Sequence, residues 1–173
     1  MNITEFSSKS PYPLVRCERA NPYYAQLMLD NMGGQNSEMS AVSLYFYNNL
    51  ITAQHPELPA IFHKISIVEM HHLEIFGKLA LQLGADPRLW TQRGNKMVYW
   101  SPEYNKYPTS LSELMQNSLD GELLAIAKYE DQIRNINDKN IEENLKRIIE
   151  DEKVHVKIFK LICEEIGGCG TDI

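Results

Sequence analysis

Apolar residues recur every three or four positions along two long stretches of the chain. The first stretch, residues 57–83, carries Ile61, Ile65, Phe76, Leu79 and Leu83 in this register. The second, residues 141–166, carries Ile141, Leu145, Ile148, Phe159 and Ile162. Such spacing places the apolar side chains on one face of an α-helix. We therefore predict two long amphipathic helices, helix 2 and helix 4, ended by Gly84 and by Gly167.

Two further helical patterns precede these helices, and a short polar connection joins each to the helix that follows. Helix 1 is predicted to begin at the capping residue Asn21, to be interrupted at the glycine pair 33–34 and to end before Pro56. Helix 3 is predicted to begin after the cap Ser110 and to end before residues 137–140. The pattern therefore predicts an all-α protein of four helices.

The stretch between helices 2 and 3, residues 85–109, contains three prolines and both tryptophans and lacks helical periodicity. Fully extended, it reaches about 80 Å, whereas a helix of the same length is about 38 Å long. It is therefore long enough to cross a whole bundle, and we predict a four-helix bundle with a long crossover between helices 2 and 3. Its aromatic side chains are expected to pack on the side of the bundle, and covering a pocket is the alternative.

The length of 173 residues fits one domain with a sizeable core. Residues 1–21 contain two prolines and little periodicity, which indicates an extended arm along the surface. Residues 22–166 are predicted to form the bundle, and residues 167–173 a glycine-rich tail. All three segments are expected to belong to one unit.

Charged residues interrupt both long apolar stripes at the same place. Glu69 and His72 lie on helix 2, and Glu152 and His155 lie 83 residues later on helix 4, with matching apolar neighbours. Chance alone gives about 0.5 such Glu-x-x-His matches in a chain of this composition, so the motif by itself is weak. The shared apolar register makes the pair informative, because a buried carboxylate without a partner is costly. We interpret the two motifs as a duplicated metal site.

A duplicated site requires duplicated partners, and two lone glutamates supply them. Glu38 precedes Glu69 by 31 residues, and Glu122 precedes Glu152 by 30. Dimetal sites in bundle cores use one Glu from each of two helices and a Glu-x-x-His from each of the other two. Two divalent cations would neutralise the four carboxylates. Carboxylate and imidazole ligands suit iron or manganese better than copper(I), although zinc also binds them.

Three other side chains near these motifs remain open to two interpretations. Tyr45 and Tyr129 each follow a presumed ligand by seven residues, on the same helix face. They are expected chiefly to pack in the core, and the alternative is a hydrogen bond that orients a carboxylate. His71 points away from the apolar stripe and is predicted to lie at the surface or beside the ligands.

Composition limits the partners and the compartment. The net charge of −6 and the lack of a basic cluster argue against binding to nucleic acid or to an anionic membrane. No apolar run approaches the roughly 18 residues of a membrane span, so a cytoplasmic location is predicted. The cysteines Cys17, Cys163 and Cys169 are odd in number and form no Cys-x-x-Cys, so we predict reduced thiols, with Cys163 in the core.

The set Glu38, Glu69-x-x-His72, Glu122 and Glu152-x-x-His155 resembles the ferritin-like superfamily, which includes rubrerythrins, bacterioferritins and manganese catalases. Residues 68–74, 83–87 and 100–101 look especially like the small rubrerythrin-like, manganese-catalase-like proteins of anaerobic bacteria. The resemblance implies a ferritin-like bundle in which Glu69 and Glu152 bridge the metals. Glu38 and Glu122 would then be terminal ligands, and each histidine would bind one ion.

The chain also departs from these relatives. Ala125 stands where rubrerythrins carry an additional glutamate, and the rubredoxin-like cysteine domain of rubrerythrins is absent from the sequence. The chain is also shorter than manganese catalases. These departures bear on which redox reaction the site supports.

The resemblance implies a dimetal oxidoreductase that holds two iron or manganese ions and acts on hydrogen peroxide or dioxygen. The ligand residues are then also the catalytic ones. The expected partners are a small oxidant, an external electron donor and a second copy of the chain in a homodimer or other small oligomer. The alternatives are a ferroxidase or iron-handling protein, and a bundle whose metals only stabilise the fold.

Overall fold

The computed structural model describes residues 3–169 of the chain. These residues form five α-helices, one two-stranded hairpin and one 3-10 turn. In chain order the elements are α1 (Pro22–Gly33), α2 (Glu38–Ile51), α3 (Leu58–Gln82), β1 (Trp90–Arg93), β2 (Lys96–Tyr99), the 3-10 turn (Pro102–Tyr104), α4 (Leu111–Asn135) and α5 (Lys139–Glu165). The prediction of an all-α four-helix bundle is confirmed, and helices 2, 3 and 4 correspond to α3, α4 and α5.

Predicted helix 1 is two helices, α1 and α2, that both pack along α3. The Asn21 side chain caps α1, with Pro22 in its first turn, as the sequence predicted. The interruption falls at the predicted glycine pair, and packing requires glycine at position 33, because a Cβ there would lie 2.6 Å from the backbone nitrogen of Trp90. Ser37 then caps α2 by accepting a hydrogen bond from the Ser40 amide. The crossover therefore packs directly against the backbone at the break.

Short connections join α2 to α3 and α4 to α5, and these two pairs form the four-helix bundle. Ser110 caps α4 through the Glu113 amide, as predicted. Asp138 caps α5 and starts it two residues before the predicted position, at Lys139. The proposed division of the chain into segments 1–21, 22–166 and 167–173 stays a prediction.

The crossover between α3 and α4 contains a β-hairpin that the sequence analysis did not predict. β1 and β2 pair antiparallel, with Arg93 opposite Lys96 and a turn at Gly94 and Asn95. Gly94 has φ of 58°, which glycine adopts without steric cost. Trp90 packs against the apolar core, as expected of the aromatics, and Trp100 donates a hydrogen bond of 3.0 Å to the Ser40 hydroxyl.

The apolar core consists of two clusters at opposite ends of the bundle. One includes Met28, Phe76, Tyr129 and Leu145, and the other includes Tyr45, Phe62, Met115 and Phe159. Each long helix contributes to both clusters, and its middle turns pass between them. The layer between the clusters holds the charged residues that interrupt the apolar stripes.

The N-terminal arm lies on α5, and several of its contacts involve buried charged groups of that helix. Arg147 donates to the carbonyl oxygens of Ser8 and Ser10 at 3.0 and 2.7 Å, and the Ser8 amide donates to Asp151 at 2.6 Å. The predicted surface arm is therefore held by a specific polar network. No helix in the described part of the chain is long and apolar enough to cross a membrane.

The prediction of three reduced cysteines was wrong, because Cys163 and Cys169 form a disulfide. Gly167 and Gly168 have φ of 89° and 114°, so the chain reverses after α5 and brings Cys169 back to the helix end. Cys17 is a free thiol, and Cys163 packs in the core, as predicted. The remainder of the predicted tail, residues 170–173, lies outside the described residues.

Candidate metal centre

The structure brings the six predicted ligands together between the two apolar clusters. None of these side chains is more than 3 % exposed: Glu38, Glu69, His72, Glu122, Glu152 and His155. Their donor atoms form two groups, each with atoms within 4.8 Å of one another. One group contains Glu38 and His72, and the other contains Glu122 and His155. Glu69 and Glu152 belong to both groups, as bridging ligands would.

The position of each candidate ligand along its helix decides where its side chain projects. Glu69 and His72 lie one turn apart in the middle of α3, and Glu152 and His155 lie likewise in α5, so each pair projects from one face. Glu38 is the first residue of α2, next to the break. The ammonium of Lys128 holds that break, because it donates to the carbonyls of Asp30 and Asn36 at 3.3 and 2.8 Å.

Each imidazole directs its Nδ1 atom toward three carboxylates. His72 Nδ1 lies 3.1 Å from Glu69, 3.3 Å from Glu152 and 3.9 Å from Glu38. His155 Nδ1 lies 2.9 Å from Glu69, 3.1 Å from Glu152 and 3.6 Å from Glu122. One nitrogen cannot donate to three acceptors with good geometry at once. In both halves of the site, the carboxylates around Nδ1 therefore need more positive charge than one imidazole proton supplies.

The other ring nitrogen of each histidine faces an acceptor outside the cluster. His72 Nε2 lies 3.0 Å from an Asp151 oxygen, and His155 Nε2 lies 2.9 Å from the Phe6 carbonyl oxygen. Both outer partners are acceptors, so Nε2 carries the proton in each ring. Nδ1 then presents either a second proton or a lone pair to the carboxylates. Because a lone pair there would be repelled, the arrangement requires a cation at Nδ1.

Two buried carboxylate oxygens support the same conclusion. Glu69 Oε1 and Glu152 Oε1 accept no hydrogen bond from any described residue. They lie 2.9 Å from His155 Nδ1 and 3.3 Å from His72 Nδ1, but without hydrogen-bonding alignment. An unsatisfied buried oxygen is costly unless a cation binds it. The donor set therefore fits two divalent metal ions of the oxygen- and nitrogen-preferring kind.

Without a metal, protons would supply the missing positive charge. Burial lowers the pKa of both imidazoles, but Glu152 beside His72 and Glu69 beside His155 raise it well above its usual value. Burial and the charges of Glu69 and Glu152 raise the pKa of Glu38 and of Glu122 well above the usual range. Burial also acts to raise the pKa of Glu69, but the two imidazoles reverse the shift and lower it. Metal binding would displace these protons.

The tyrosines make crossed hydrogen bonds to two of the candidate ligands. The Tyr45 hydroxyl of α2 donates to Glu122 of α4, and the Tyr129 hydroxyl of α4 donates to Glu38 of α2. Both rings also pack in the apolar clusters. The expectation that these residues chiefly pack was therefore incomplete, because each also orients a carboxylate. The third side chain left open by the sequence, His71, lies at the surface as predicted. Its side chain is 44 % exposed and lies edge-on to the Tyr12 ring.

A cavity of about 350 Å³ extends from the surface to the cluster. Its inner end is lined by Glu38, Glu122, Tyr45 and Tyr129, and its outer part by Tyr104, Asn105 and Lys106 of the crossover. The Asn105 amide fixes the crossover by donating to the Ser40 carbonyl at 2.9 Å. The crossover therefore does both things considered for it, because Trp90 packs on the core while Tyr104 lines a pocket.

Comparison with known proteins agrees with this geometry. Residues 35–163 match the family model described as Rubrerythrin, which is well over half of the chain. The chain belongs to the rubrerythrin family. It is 24 % identical over 179 residues to a protein of Clostridium acetobutylicum described as a probable manganese catalase, a match that spans 91 % of this chain and 78 % of that protein.

Two solved structures show the ferritin-like fold of this rubrerythrin-family chain. The manganese catalase KatB from Anabaena superposes with a TM-score of 0.84 at 23 % identity, over 98 % of this chain and 84 % of that one. The bacterioferritin BfrA from Mycobacterium tuberculosis superposes with a TM-score of 0.67 at 20 % identity, over 86 % of this chain and 88 % of that one.

Several residues that contact the candidate ligands were not identified from the sequence of this rubrerythrin-family chain. Asp151, which contacts His72, adjoins Glu152 and is fully buried, and its neighbour Arg147 is 5 % exposed. A charged pair four residues apart is normally a solvent-exposed helix pair, so no local pattern indicated that this pair is buried. The Phe6 carbonyl could not have been identified, because every residue carries one.

Proposed function

We propose that this rubrerythrin-family protein is a dimetal oxidoreductase that acts on hydrogen peroxide or dioxygen. Two iron or manganese ions would be held by Glu38, Glu69, His72, Glu122, Glu152 and His155. The observation that carries the proposal is the orientation of both Nδ1 atoms, each facing three buried carboxylates at the end of an open cavity. A buried site that requires cations and is open to small molecules suits redox chemistry better than a closed structural site.

Bound iron or manganese would supply the electrons that peroxide or dioxygen chemistry requires, by cycling between oxidation levels. The protein residues have separate tasks. Glu69 and Glu152 would contribute to holding both ions, while Glu38 and Glu122 line the cavity and accept hydrogen bonds from the crossed tyrosines. The apolar clusters shield the layer from water at the two ends of the bundle, whereas the cavity leaves it open to small molecules.

Hydrogen peroxide dismutation is the reaction we favour within this class. It consumes two peroxide molecules and yields two water molecules and one dioxygen, so it requires no external reductant. The two proteins described as manganese catalases support this choice, and Ala125 in place of an additional glutamate weighs against peroxidase chemistry of the rubrerythrin type. Peroxidase activity would require an external electron donor, which remains the alternative.

A side-by-side peroxide assay tests the proposal. Protein loaded with manganese and protein loaded with iron would be given hydrogen peroxide, with dioxygen release followed by an oxygen electrode. A catalase reaction releases one dioxygen for two peroxides without a reductant. A peroxidase consumes peroxide only when a reductant is added and releases no dioxygen. Consumption in neither condition, with both metals bound, would contradict the enzyme proposal.

The same preparations separate the remaining alternatives. A ferroxidase would oxidise ferrous iron well beyond two equivalents per chain and retain it, whereas metals that only stabilise the bundle would bind without any turnover. We propose a homodimer or other small oligomer, which light scattering would distinguish from the large shell that iron storage requires. A cytoplasmic location stays a prediction, and the Cys163–Cys169 disulfide makes thiol titration of the native protein informative about it.

A further inference from the structure

The N-terminal arm contacts the outer side of both candidate metal-binding histidines. The Phe6 carbonyl accepts the hydrogen bond of His155 Nε2 at 2.9 Å. Ser8 and Tyr12 both donate to Asp151, the acceptor for His72 Nε2, with the Ser8 amide at 2.6 Å. Seven residues of an otherwise irregular segment therefore complete the environment of two buried rings.

The internal duplication is broken at this point. Asp151 precedes Glu152 on α5, and the residue at the equivalent position of α3, 83 positions earlier, is Val68. Valine offers no acceptor, so His155 has no carboxylate partner equivalent to the one that His72 has. The arm supplies the Phe6 backbone carbonyl instead. One histidine is thus supported by a charged acceptor and the other by a neutral one.

The charged acceptor is itself held rigidly. Arg147 Nη1 lies 2.6 Å from Asp151 Oδ1, and the guanidinium also donates to the Ser8 and Ser10 carbonyls. The Arg147 guanidinium stacks 3.9 Å from the centre of the Tyr12 ring. The side chain of Phe6, next to the other acceptor, packs against the apolar cluster that contains Phe159 and lies 4.8 Å from the Lys64 ammonium.

We propose that the arm makes the two metal positions unequal, with the His72 position binding its ion more tightly than the His155 position. The proposal rests on the proposed function, because it requires two bound ions. A carboxylate that accepts from the outer nitrogen raises the basicity of a ligating imidazole more than a neutral carbonyl does. Asp151 and the Phe6 carbonyl are therefore positioning groups, each acting through one histidine on one ion.

Two variants test the acceptors of His72 and His155 separately. Asp151→Asn removes the charged acceptor of His72, and Phe6→Ala removes the side chain next to the acceptor of His155. Arg16→Gln is the matched control, because Arg16 is an arm residue that bonds Asn140 of α5 at 2.7 Å far from either ring. Tyr12→Phe is a milder second variant for the His72 half, since it leaves the Asp151–Arg147 ion pair intact should Asp151→Asn fail to fold.

Stepwise Mn²⁺ titration of the metal-free full-length chain, followed by calorimetry, gives two affinities. We expect Asp151→Asn to weaken the tighter step by about 10- to 100-fold and Phe6→Ala to weaken the looser step, with Arg16→Gln matching wild type. Tyr12→Phe should weaken the tighter step by a smaller factor. Equal affinities in wild type, or an equal loss in both steps for Asp151→Asn and Phe6→Ala, would overturn the inference.

A spectroscopic readout separates positioning from a general loss of structure. In protein loaded with diamagnetic Zn²⁺, the ¹⁵N shifts of the two rings report which nitrogen carries the proton. Asp151→Asn should move the shifts of His72 and leave those of His155 in place, and Phe6→Ala should do the reverse. Movement of both sets in each variant would contradict the proposal. If wild-type protein bound fewer than two Mn²⁺ ions, the proposed function itself would have failed, which is a different result.

Discussion

Tyr45 donates its hydroxyl hydrogen bond to Glu122 on the opposite helix, not to Glu38, the candidate ligand on its own helix. Tyr129 makes the mirrored bond from α4 to Glu38. Each half of the duplicated sequence therefore positions a carboxylate of the other half. Both tyrosines line the cavity, and their hydrogen bonds link α2 and α4 across the layer that holds the candidate ligands.

Replacing either tyrosine should weaken the site without removing a ligand. Tyr45→Phe keeps the ring but leaves Glu122 without its donor, and a buried hydrogen bond to a charged group contributes about 1.5–3 kcal/mol. We expect a roughly 10- to 100-fold loss in metal affinity or peroxide turnover. Tyr47→Phe is the control on the same helix, since its hydroxyl makes only a long contact of 3.5 Å with the Pro108 carbonyl. Wild-type affinity and turnover in Tyr45→Phe would contradict the role given to the crossed bonds.

The bridging and terminal glutamates should differ when each is removed. Glu152 belongs to both donor groups and Glu38 to one, so Glu152→Ala should cost both ions and abolish turnover, while Glu38→Ala should be milder. In metal-loaded protein the melting temperature should fall further for Glu152→Ala, because bound metal stabilises the native state. Without metal, either change relieves repulsion among crowded carboxylates. Glu164→Ala, at an exposed position of α5, serves as the control. If Glu152→Ala retained two metal ions and full turnover, Glu152 would not be a bridging ligand.

The stability of the metal-free protein and its affinity for metal should change with pH in opposite directions. In metal-free protein the folded-state pKa of His72 and of His155 lies above the unfolded value of 6.5. The stability from these imidazoles is complete below pH 6.5 and is lost as the pH rises through the folded-state pKa. The raised pKa of Glu38 and of Glu122 likewise makes the free energy of unfolding fall as the pH rises above 4.5.

Metal binding must displace those same protons, so metal affinity should rise with pH over that window. We therefore expect the melting temperature of metal-free protein to fall from about pH 6 to pH 9, while the shift caused by added Mn²⁺ grows. Differential scanning calorimetry in matched buffers, with and without metal, measures both. A metal-induced shift that shrank as the pH rose would contradict the exchange of protons for metal.

The features that follow a period or a motif were predictable from the sequence. The apolar register gave the long helices α3 and α5, and the repeated Glu-x-x-His with Glu38 and Glu122 gave the six residues that converge. The hairpin could have been predicted from the turn residues Gly94 and Asn95, which lie between the two short segments that form β1 and β2. The interruption of helix 1 was predicted from the glycine pair 33–34, but the close approach of the Trp90 backbone to Gly33 was not.

The features that could not be predicted depend on contacts between segments that are distant in the sequence. The acceptors of the two histidines come from the arm and from a buried Asp151, and neither carries a local pattern. The Cys163–Cys169 disulfide was missed because counting cysteines ignores the chain reversal that two glycines permit. The direction of the tyrosine bonds also required the tertiary arrangement of α2 and α4.

Breaking the disulfide should affect stability but not the metal site. The bridge closes a loop across six positions at the end of α5, and chain entropy for so short a loop gives at most about 2 kcal/mol. Cys169→Ser should therefore lower the free energy of unfolding by up to about 2 kcal/mol while Mn²⁺ affinity stays unchanged. Urea denaturation of the oxidised, reduced and Cys169→Ser proteins gives the comparison. A metal affinity that fell on reduction would show coupling that this structure does not explain.

Metal content per chain tests the central claim most directly. Metal-free protein would be reconstituted with Mn²⁺ or Fe²⁺, desalted and measured by inductively coupled plasma mass spectrometry, beside a variant carrying both His72→Gln and His155→Gln. The six converging ligands predict about two ions per wild-type chain and a marked loss in the double variant. Trace metal in wild-type protein, or equal metal in wild type and the double variant, would contradict the assignment of this cluster as a dimetal centre.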